Sequence, residues 1–330
     1  MDPRLHALTC WLQQHFSTDA IKLHAITNDA SFRRYFRLHL QDKTYIVMDA
    51  PPAQEDCRPF IAIAHMFNSQ GLRVPQIFAE DVNQGFLLLE DFGDRQFSQA
   101  LNSNVDKYYY HAMTVLLQLQ HCNNESWSLP LFDTNLLQRE LDLLQPWFLE
   151  RHLGITLSAA QLQLLQNVFT ILIENALQQP QVCVHRDYHS RNLMILPEDE
   201  LGILDFQCAV IGPITYDLVS LLRDCYIAWP EEQVLTWVQS YLLRLQHQGI
   251  ATTISFEQFV RWFDLMGLQR HLKVLGLFVR LHHRDNKPTY LADLPRVMNY
   301  VLQVSGKYPE FRELFTWFQS LQAWSISDSH

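Results

Sequence analysis

Apolar residues keep a period near two up to about Gly93 and a period near 3.6 from about Gln96 onward, and that switch limits the fold more than anything else in the chain. Four short runs rich in β-branched and aromatic residues come first: "IKLHAI", "RRYFRLHL", "KTYIVMDA" and "GFLLLED". "NDAS" separates the first two and Gln41–Asp42 the next two, which predicts an antiparallel meander. A helix over Pro59 to Gln70 interrupts it, with Phe60, Ile63, Ala64 and Phe67 on one face and Gly71 as its stop. Ahead of the strands, Leu5, Leu8, Trp11, Leu12 and Phe16 form one helical stripe. Beyond the switch, Leu162, Leu165, Phe169, Leu172 and Ala176 form a second stripe, and Val234, Trp237, Val238, Tyr241, Leu242 and Leu245 a third. Only Gln181–His185 and Leu193–Leu204 read as strands there. The expected class is α+β: a small antiparallel-sheet lobe over residues 1–93 and a larger, mainly helical lobe over residues 94–330.

Composition removes several functions. With 48% apolar residues, 20 Phe, 12 Tyr and 8 Trp, the chain buries a large core and is not disordered. A formal charge of −10, from 25 Lys+Arg against 35 Asp+Glu, repels a nucleic-acid backbone, and no basic cluster offsets it. Six scattered cysteines lack any C-x-x-C pair, so they read as small buried apolar groups in a reducing compartment. No run resembles a signal peptide or reaches membrane-spanning length. The expectation is a soluble, cytoplasmic monomer with neither a nucleic-acid nor a membrane partner.

The densest polar stretch is "VHRDYHSRNLMIL", Val184 to Leu196, followed by "GILDFQ", Gly202 to Gln207. "HRDYHSRN" fits the kinase catalytic-loop pattern H-R-D-x-x-x-x-N in full, and "LDF" follows after a short strand. Phosphoryl transfer asks for a carboxylate at the acceptor hydroxyl and hard oxygen ligands for magnesium. Asp187 is the candidate base, and Asn192 and Asp205 are the candidate Mg²⁺ ligands. A loop and a two-stranded turn suffice to bring Asn192 and Asp205 together.

ATP is then expected in the small lobe. "TNDASFRRYF" lies where kinases place a phosphate-covering loop; it has no Gly, so Ala30 and Ser31 must let the backbone approach. "FLLLEDFG" fits an interlobe linker whose backbone near Glu90 and Asp91 meets adenine. A third-strand Lys is missing, since "YIVMDAPP" offers Met48 and Asp49. The cations nearby are Arg33, Arg34 and Arg37, and alternation puts Arg33 and Arg37 on one strand face and Arg34 on the other. A phosphate contact and a solvated surface role are equally open for each.

"LDFQ…GPITYDLVSLLRD" and the catalytic loop resemble the aminoglycoside phosphotransferase/choline kinase superfamily. "DASFRRYFRL", "YIVMDAPPAQEDCRPF", "GFLLLEDFG" and "LQRHLKVLGLFVRLHHRDNKPTYLADLPRV" are similar to the bacterial N-acetylmuramate/N-acetylglucosamine anomeric kinases of cell-wall recycling. The resemblance implies a two-lobed protein-kinase-like fold and transfer from Mg²⁺·ATP to the anomeric hydroxyl of an amino sugar. It assigns Asp187 as base, Asn192 and Asp205 as metal ligands, and Asp217 as an acid that buttresses the loop. The expected substrate contacts are His189, Arg191, Asp224, Arg270 and His271. Arg270, His271 and Lys273 belong to a late helix and would meet the lactyl carboxylate of N-acetylmuramate or form a structural salt bridge. Two departures from the family pattern bear on sugar preference: Cys208 stands where an Asp usually follows "DFQ", and Tyr226 where "LLRDCY" usually carries an Arg. Rival readings are an aminoglycoside or choline kinase, whose cationic acceptors need an acidic site, and a nucleotide-binding pseudokinase, which the missing Lys alone supports.

Overall fold

A computed structural model describes residues 2–26, 32–101, 104–122 and 129–322. The first elements are α1 (Pro3–Phe16), β1 (Leu23–Ile26), β2 (Arg34–Leu40), β3 (Lys43–Asp49), α2 (Arg58–Ser69), β4 (Ile77–Asp81) and β5 (Phe86–Glu90). Helices α3 (Phe97–Ala100), α4 (Val105–Gln120) and α5 (Thr134–Leu141) follow, then a π-helical segment, Leu144–His152, and α6 (Ala159–Leu177). Next come β6 (Gln181–Val184), β7 (Leu193–Ile195), β8 (Leu201–Ile203) and β9 (Val210–Pro213). The chain ends with α7 (Tyr216–Leu222), α8 (Glu231–His247), α9 (Phe256–Asp285), α10 (Leu294–Lys307) and α11 (Arg312–Gln322). Two compact units result: Met1–Gln96 with Leu193–Cys208, and Phe97–Asn192 with Ala209–His330.

In the first unit, period-two residues build a five-stranded antiparallel sheet in the order β1-β2-β3-β5-β4. Phe36, Leu38, Val47, Phe86 and Leu88 form one buried cluster with Leu8 and Leu12 of α1, and Leu5, Trp11 and Phe16 pack on its rim. The sequence pattern did not reveal β4. Its residues, "IFAED", alternate between half-buried and exposed, with Phe78 44% exposed, so the strand lacks a buried apolar side. Gly85 starts β5 at φ +74°, and a Cβ there would stand 1.8 Å from the Ala50 carbonyl oxygen, so only glycine fits.

The expected boundary needs two corrections. It falls at Gln96/Phe97 rather than at residue 93, and Leu193–Cys208 joins the first unit although it lies deep in the second half of the chain. The expected strand Leu193–Leu204 is a hairpin, β7 with β8, broken at Pro197–Asp199. Backbone hydrogen bonds Ile195 N–H to Arg95 O (2.9 Å) and Ile203 N–H to Arg73 O (2.8 Å) attach it, and Phe206 packs on Phe60 and Phe67 of α2 at 4.8 and 5.8 Å between ring centres. Contacts this distant in sequence leave no periodic signal.

The second unit is built around α9, which meets α6, α7, α8, α10 and the π-helical segment. Every α9 residue from Trp262 to Gly276 is buried. At Gly276 a Cβ would stand 2.2 Å from the Leu143 carbonyl oxygen, so the glycine permits the π-helical segment to approach. The stripes on α6 and α8 turn inward as their spacing predicts, with Leu162 the one half-buried member. The strand β9, which pairs antiparallel with β6, was not anticipated. Among the described residues, no helix is long and apolar enough to cross a membrane.

Candidate active site

In the second unit, β6 runs directly into the polar stretch, His185 to Asn192. Asp217, in the first turn of α7, fixes the entry: its carboxylate accepts from the His185 N–H at 2.6 Å and the Arg186 N–H at 3.0 Å. Burial pushes that carboxyl up to about 7, against the pull of both amides and of Arg270. Arg186 sits at φ +78°, a left-handed conformation that a side-chain-bearing residue adopts only when held. Three groups hold it. Besides Asp217, its guanidinium pairs with buried Glu140, and its carbonyl accepts from Arg270 Nη1 at 2.8 Å.

Two turns then shape the loop, His189 N–H to Asp187 O and Asn192 N–H to His189 O, each 3.0 Å. Asn192 Nδ2 donates to the Asp187 carbonyl at 2.9 Å, which leaves Oδ1 as the acceptor of that side chain. Asp187 is 39% exposed in its side chain, with Arg270 Nη1 3.7 Å from Oδ1. Desolvation alone would raise this carboxyl, but the charges of Lys273, Arg270, His189 and Arg186 outweigh it and hold it below the ordinary Asp range. The group is therefore ionised at neutral pH. It can accept a hydrogen bond from a hydroxyl and take its proton late, as a loose phosphoryl-transfer transition state requires.

Several expected substrate contacts are buried. Arg270 and Lys273 have side chains only 4% and 8% exposed. Lys273 donates to Glu140 at 2.8 Å and to the Tyr216 hydroxyl at 3.1 Å, and Gln269 and Tyr216 complete the shell of Glu140 at 3.2 and 3.3 Å. His271 is fully buried: it stacks on Tyr300 with ring centres 4.6 Å apart, and Nε2 lies 3.0 Å from the Arg223 carbonyl. Burial drives its pKa down to about 3, so the ring is neutral and Nε2 donates. Asp224, also buried, caps the Ser190 and Tyr226 N–H groups at 3.0 and 2.9 Å, holding the loop in place. Each of these three is buried and bonded within the protein. The other two are less buried: His189, edge-on to Tyr226 at 5.3 Å, and Arg191, 40% exposed, with its guanidinium 3.5 Å above the Tyr226 ring.

The first unit contains Asp205, in the left-handed region at φ +61° and 48% exposed in its side chain. Gln207 Nε2 donates to its Oδ1 at 2.8 Å, and Arg33 Nη2 lies 3.9 Å from the same oxygen. Alternation along β2 holds. Arg34 pairs with Asp49 and with Asp2 at the start of α1, whereas Arg37 pairs with Asp91 and Asp94. Arg34 thus ties α1 to β3 rather than presenting itself to a phosphate. The side chain of Glu90 is occupied by Arg73, and that of Asp91 by Arg37, so only their backbone atoms suit a base. Ala30 and Ser31 lie outside the described residues.

The donor chemistry of Asn192 and Asp205 fits magnesium: one amide oxygen and one carboxylate, both hard ligands. Among the described residues, no group of three or more His, Cys, Asp or Glu gathers into a metal cage. Magnesium needs none where phosphate oxygens and water supply the remaining ligands. Sequence reasoning missed Glu140, Tyr216 and Gln269. Glu140 and Gln269 lie far from the motif along the chain and Tyr216, though next to Asp217, carries no signal of its own; burial with Arg186 and Lys273 reveals them.

The profile of the phosphotransferase enzyme family (APH) matches residues 22–256. A protein of Pseudomonas putida named N-acetylmuramate/N-acetylglucosamine kinase is 44% identical, covering 98% of both chains, and one of the same name from Neisseria meningitidis is 40% identical over 92% of each. Among solved structures, an ADP-bound aminoglycoside phosphotransferase, APH(2'')-Ib, superposes with a TM-score of 0.61 at 14% identity, covering 91% of this chain and 98% of its own. Choline kinase LicA from Streptococcus pneumoniae gives 0.62 at 12%, covering 90% and 99%. At such low identity these two establish the two-lobed, kinase-like α+β fold alone. By the match over most of its length, the chain belongs to the phosphotransferase enzyme family.

Proposed function

We propose that the protein is an ATP-dependent kinase that phosphorylates the anomeric hydroxyl of N-acetylmuramate, N-acetylglucosamine or both, giving the sugar 1-phosphate for reuse of cell-wall material. The observation that carries this is the 44% identity, across 98% of both chains, to a protein named for that activity. In this reading the anomeric hydroxyl donates a hydrogen bond to the Asp187 carboxylate. Its oxygen attacks the γ-phosphorus of ATP, the bond to the β–γ bridging oxygen breaks, ADP leaves, and the hydroxyl proton passes to Asp187. Asn192 and Asp205 are the residues for magnesium, which would neutralise charge on the phosphate oxygens. Backbone atoms near Glu90 and Asp91 serve adenine, and the segment with Ala30 and Ser31 the phosphates.

The charge around Asp187 favours a neutral or anionic acceptor. The cations Arg186, Arg270 and Lys273 stand against the acids Glu140 and Asp217 around it, and Arg191 adds an exposed cation on the same loop. A cationic aminoglycoside or choline would meet repulsion there. In this reading the enzyme works in the cytoplasm as a monomer on a small amino sugar. A phosphate-transfer assay with N-acetylmuramate, N-acetylglucosamine and kanamycin, its product identified by phosphorus NMR, tests the proposal. A 1-phosphate of either amino sugar is the expected product; transfer to kanamycin alone would sink the reading.

A further inference from the structure

We infer that a cavity where the first turns of α4 and α8 meet, with Trp229 as its platform, is a binding site for a neutral pyranose ring. It lies in the second unit and goes beyond the transfer reaction, because none of its residues belongs to the catalytic loop.

The cavity has a volume of about 310 Å³ and is lined by Asn104, Val105, Asp106, Trp229, Pro230 and Gln233. That is the low end of the range for small-molecule sites, about 300–1,000 Å³. Trp229 is half-buried, and two neighbours hold its ring. Its Nε1–H donates to the Tyr109 hydroxyl at 2.6 Å, and the ring stands edge-on to Tyr109 and to Trp237, each with centres 5.7 Å apart. Tyr109 and Trp237 are fully buried and stack on each other at 4.2 Å. The one polar atom of Trp229 is thus spent inward, and what it lends the cavity is apolar ring in a fixed orientation. Pro230 extends that apolar wall.

The rest of the lining is polar and keeps hydrogen-bonding capacity. Asp106 Oδ1 accepts from Trp237 Nε1 at 2.9 Å and from Gln233 Nε2 at 3.0 Å, which leaves Oδ2 for a further donor. Gln233 offers its Oε1, and Asn104, whose Oδ1 caps the Lys107 N–H at 3.1 Å, offers its amide nitrogen. A matching ligand has a flat apolar side with donors and acceptors round its rim. A pyranose has both: C–H groups on its faces and hydroxyls at its edge. Other classes fit worse. Asp106 repels an anion, and a lone carboxylate is no cage for a metal ion. A quaternary ammonium takes a cage of rings, whereas among the described residues one ring lines this wall.

The cavity is fixed close to the catalytic loop without being part of it. Tyr188 of that loop donates its hydroxyl to the Ala112 carbonyl at 2.9 Å. Asp106 stands six residues earlier on the same helix, about 9 Å away at the helical rise. From the other side, Asp224 accepts from the Ser190 N–H, and only Cys225 to Ala228 separate it from Trp229. That stretch is pinned: Arg296 Nη1 donates to the Cys225 carbonyl at 2.8 Å, and the Tyr300 hydroxyl to the Ile227 carbonyl at 3.4 Å. The platform is therefore pre-organised, and a ligand orders little of the protein on arrival.

The test labels the full chain with fluorotryptophan and follows its fluorine NMR spectrum. The resonance missing from W229F is that of Trp229, so the readout is local to the platform. Methyl N-acetyl-β-glucosaminide is the probe, because its anomeric oxygen is blocked and cannot accept a phosphoryl group. The Trp229 resonance should move saturably with this glycoside and stay still with choline or inorganic phosphate. D106N, which keeps an oxygen for Trp237 and Gln233, and Q233A should each weaken the titration about fivefold or more. A Trp229 resonance that ignores the glycoside, a shift driven by choline or phosphate, or D106N and Q233A that both titrate like the wild type overturns the inference. If one of the two variants fails to fold by circular dichroism, the other decides. None of these outcomes bears on transfer at Asp187, so the kinase reading stands or falls separately.

Discussion

The arginines at the start of β2 and those beside the catalytic loop make a comparison. On the strand, Arg33, Arg34 and Arg37 each take a separate set of acids, two of them at least a fifth exposed, in pairs that solvent screens. Beside the loop, Arg186, Arg270 and Lys273 share a sealed network with Glu140 and Tyr216. Charges on an alternating strand can be removed one at a time and each reports on its own face. Charges in the buried network stand or fall together, because each leaves a partner without compensation in a medium of low dielectric. The first group fastens neighbouring segments one pair at a time, and the second holds a strained loop.

The comparison breaks first at Asp187, which touches both roles. Asp187→Asn should lower kcat by ~10²–10⁴ while ADP affinity stays near the wild-type value, since only the proton acceptor is lost. Near-normal turnover would remove Asp187 from the mechanism and leave its cations without a catalytic purpose. The next effect is on stability. Lys273→Met should cost about 3 kcal/mol, the low end for breaking a buried pair, because Arg186 still pairs with Glu140. The exposed pair Arg58–Asp56 offers the contrast: Arg58→Ala should shift the urea midpoint barely, by well under about 1 kcal/mol. Equal shifts for the two variants would erase the distinction between the regions.

The same contrast explains how much could be read from the sequence. A strand half-buried on one side announces its faces, so the opposite placement of Arg33 and Arg34 followed from alternation. The loop was legible because its chemistry dictates residue types at fixed spacing. Helix α9 was not: with Trp262 to Gly276 buried all round, no stripe marks an exposed face, and Arg270, His271 and Lys273 could not be assigned a direction. Strands β4 and β9 escaped for another reason. They are short, and their partners, not their own pattern, make them strands.

His271 sharpens the buried side of the comparison through pH. Its folded pKa of about 3 lies below the unfolded value near 6.5, so the unfolded chain binds the extra proton between those limits. Its contribution is complete above about pH 6.5 and is lost as pH falls toward 3. The slope is at most about 1.4 kcal/mol per pH unit, or roughly 2 kcal/mol between pH 6.5 and 5. Burial lowers the His271 pKa most, the positive charge of Arg223 and Arg270 lowers it further, and the hydrogen bond to the Arg223 carbonyl opposes them in part. Urea unfolding of the wild type and of His271→Gln, at pH 7.5 and at pH 5, should show the acid loss in the first and a flatter profile in the second. Parallel profiles would assign the acid sensitivity to another group.

The smallest effect is expected where the second unit offers an arginine of the strand type. Arg191 sits four residues beyond Asp187 and is 40% exposed, with Asp293 3.8 Å away, too far for a hydrogen bond. Asp293 is already paired with Arg296 at 2.7 Å, so its charge is largely spent. The Tyr226 ring, 3.5 Å below the guanidinium, orients it without neutralising it. The Tyr226 ring thus serves as a platform for the cation at 191. N-acetylmuramate carries a carboxylate that N-acetylglucosamine lacks. An exposed arginine meeting that carboxylate is worth about 1 kcal/mol, roughly fivefold in KM. Arg191→Gln should therefore raise KM for N-acetylmuramate severalfold, leave KM for N-acetylglucosamine within about twofold, and leave kcat for both in place. A matched rise for the two sugars would mean that Arg191 supports the loop, as Arg270 does, and that the second unit presents no ligand-reading cation there at all.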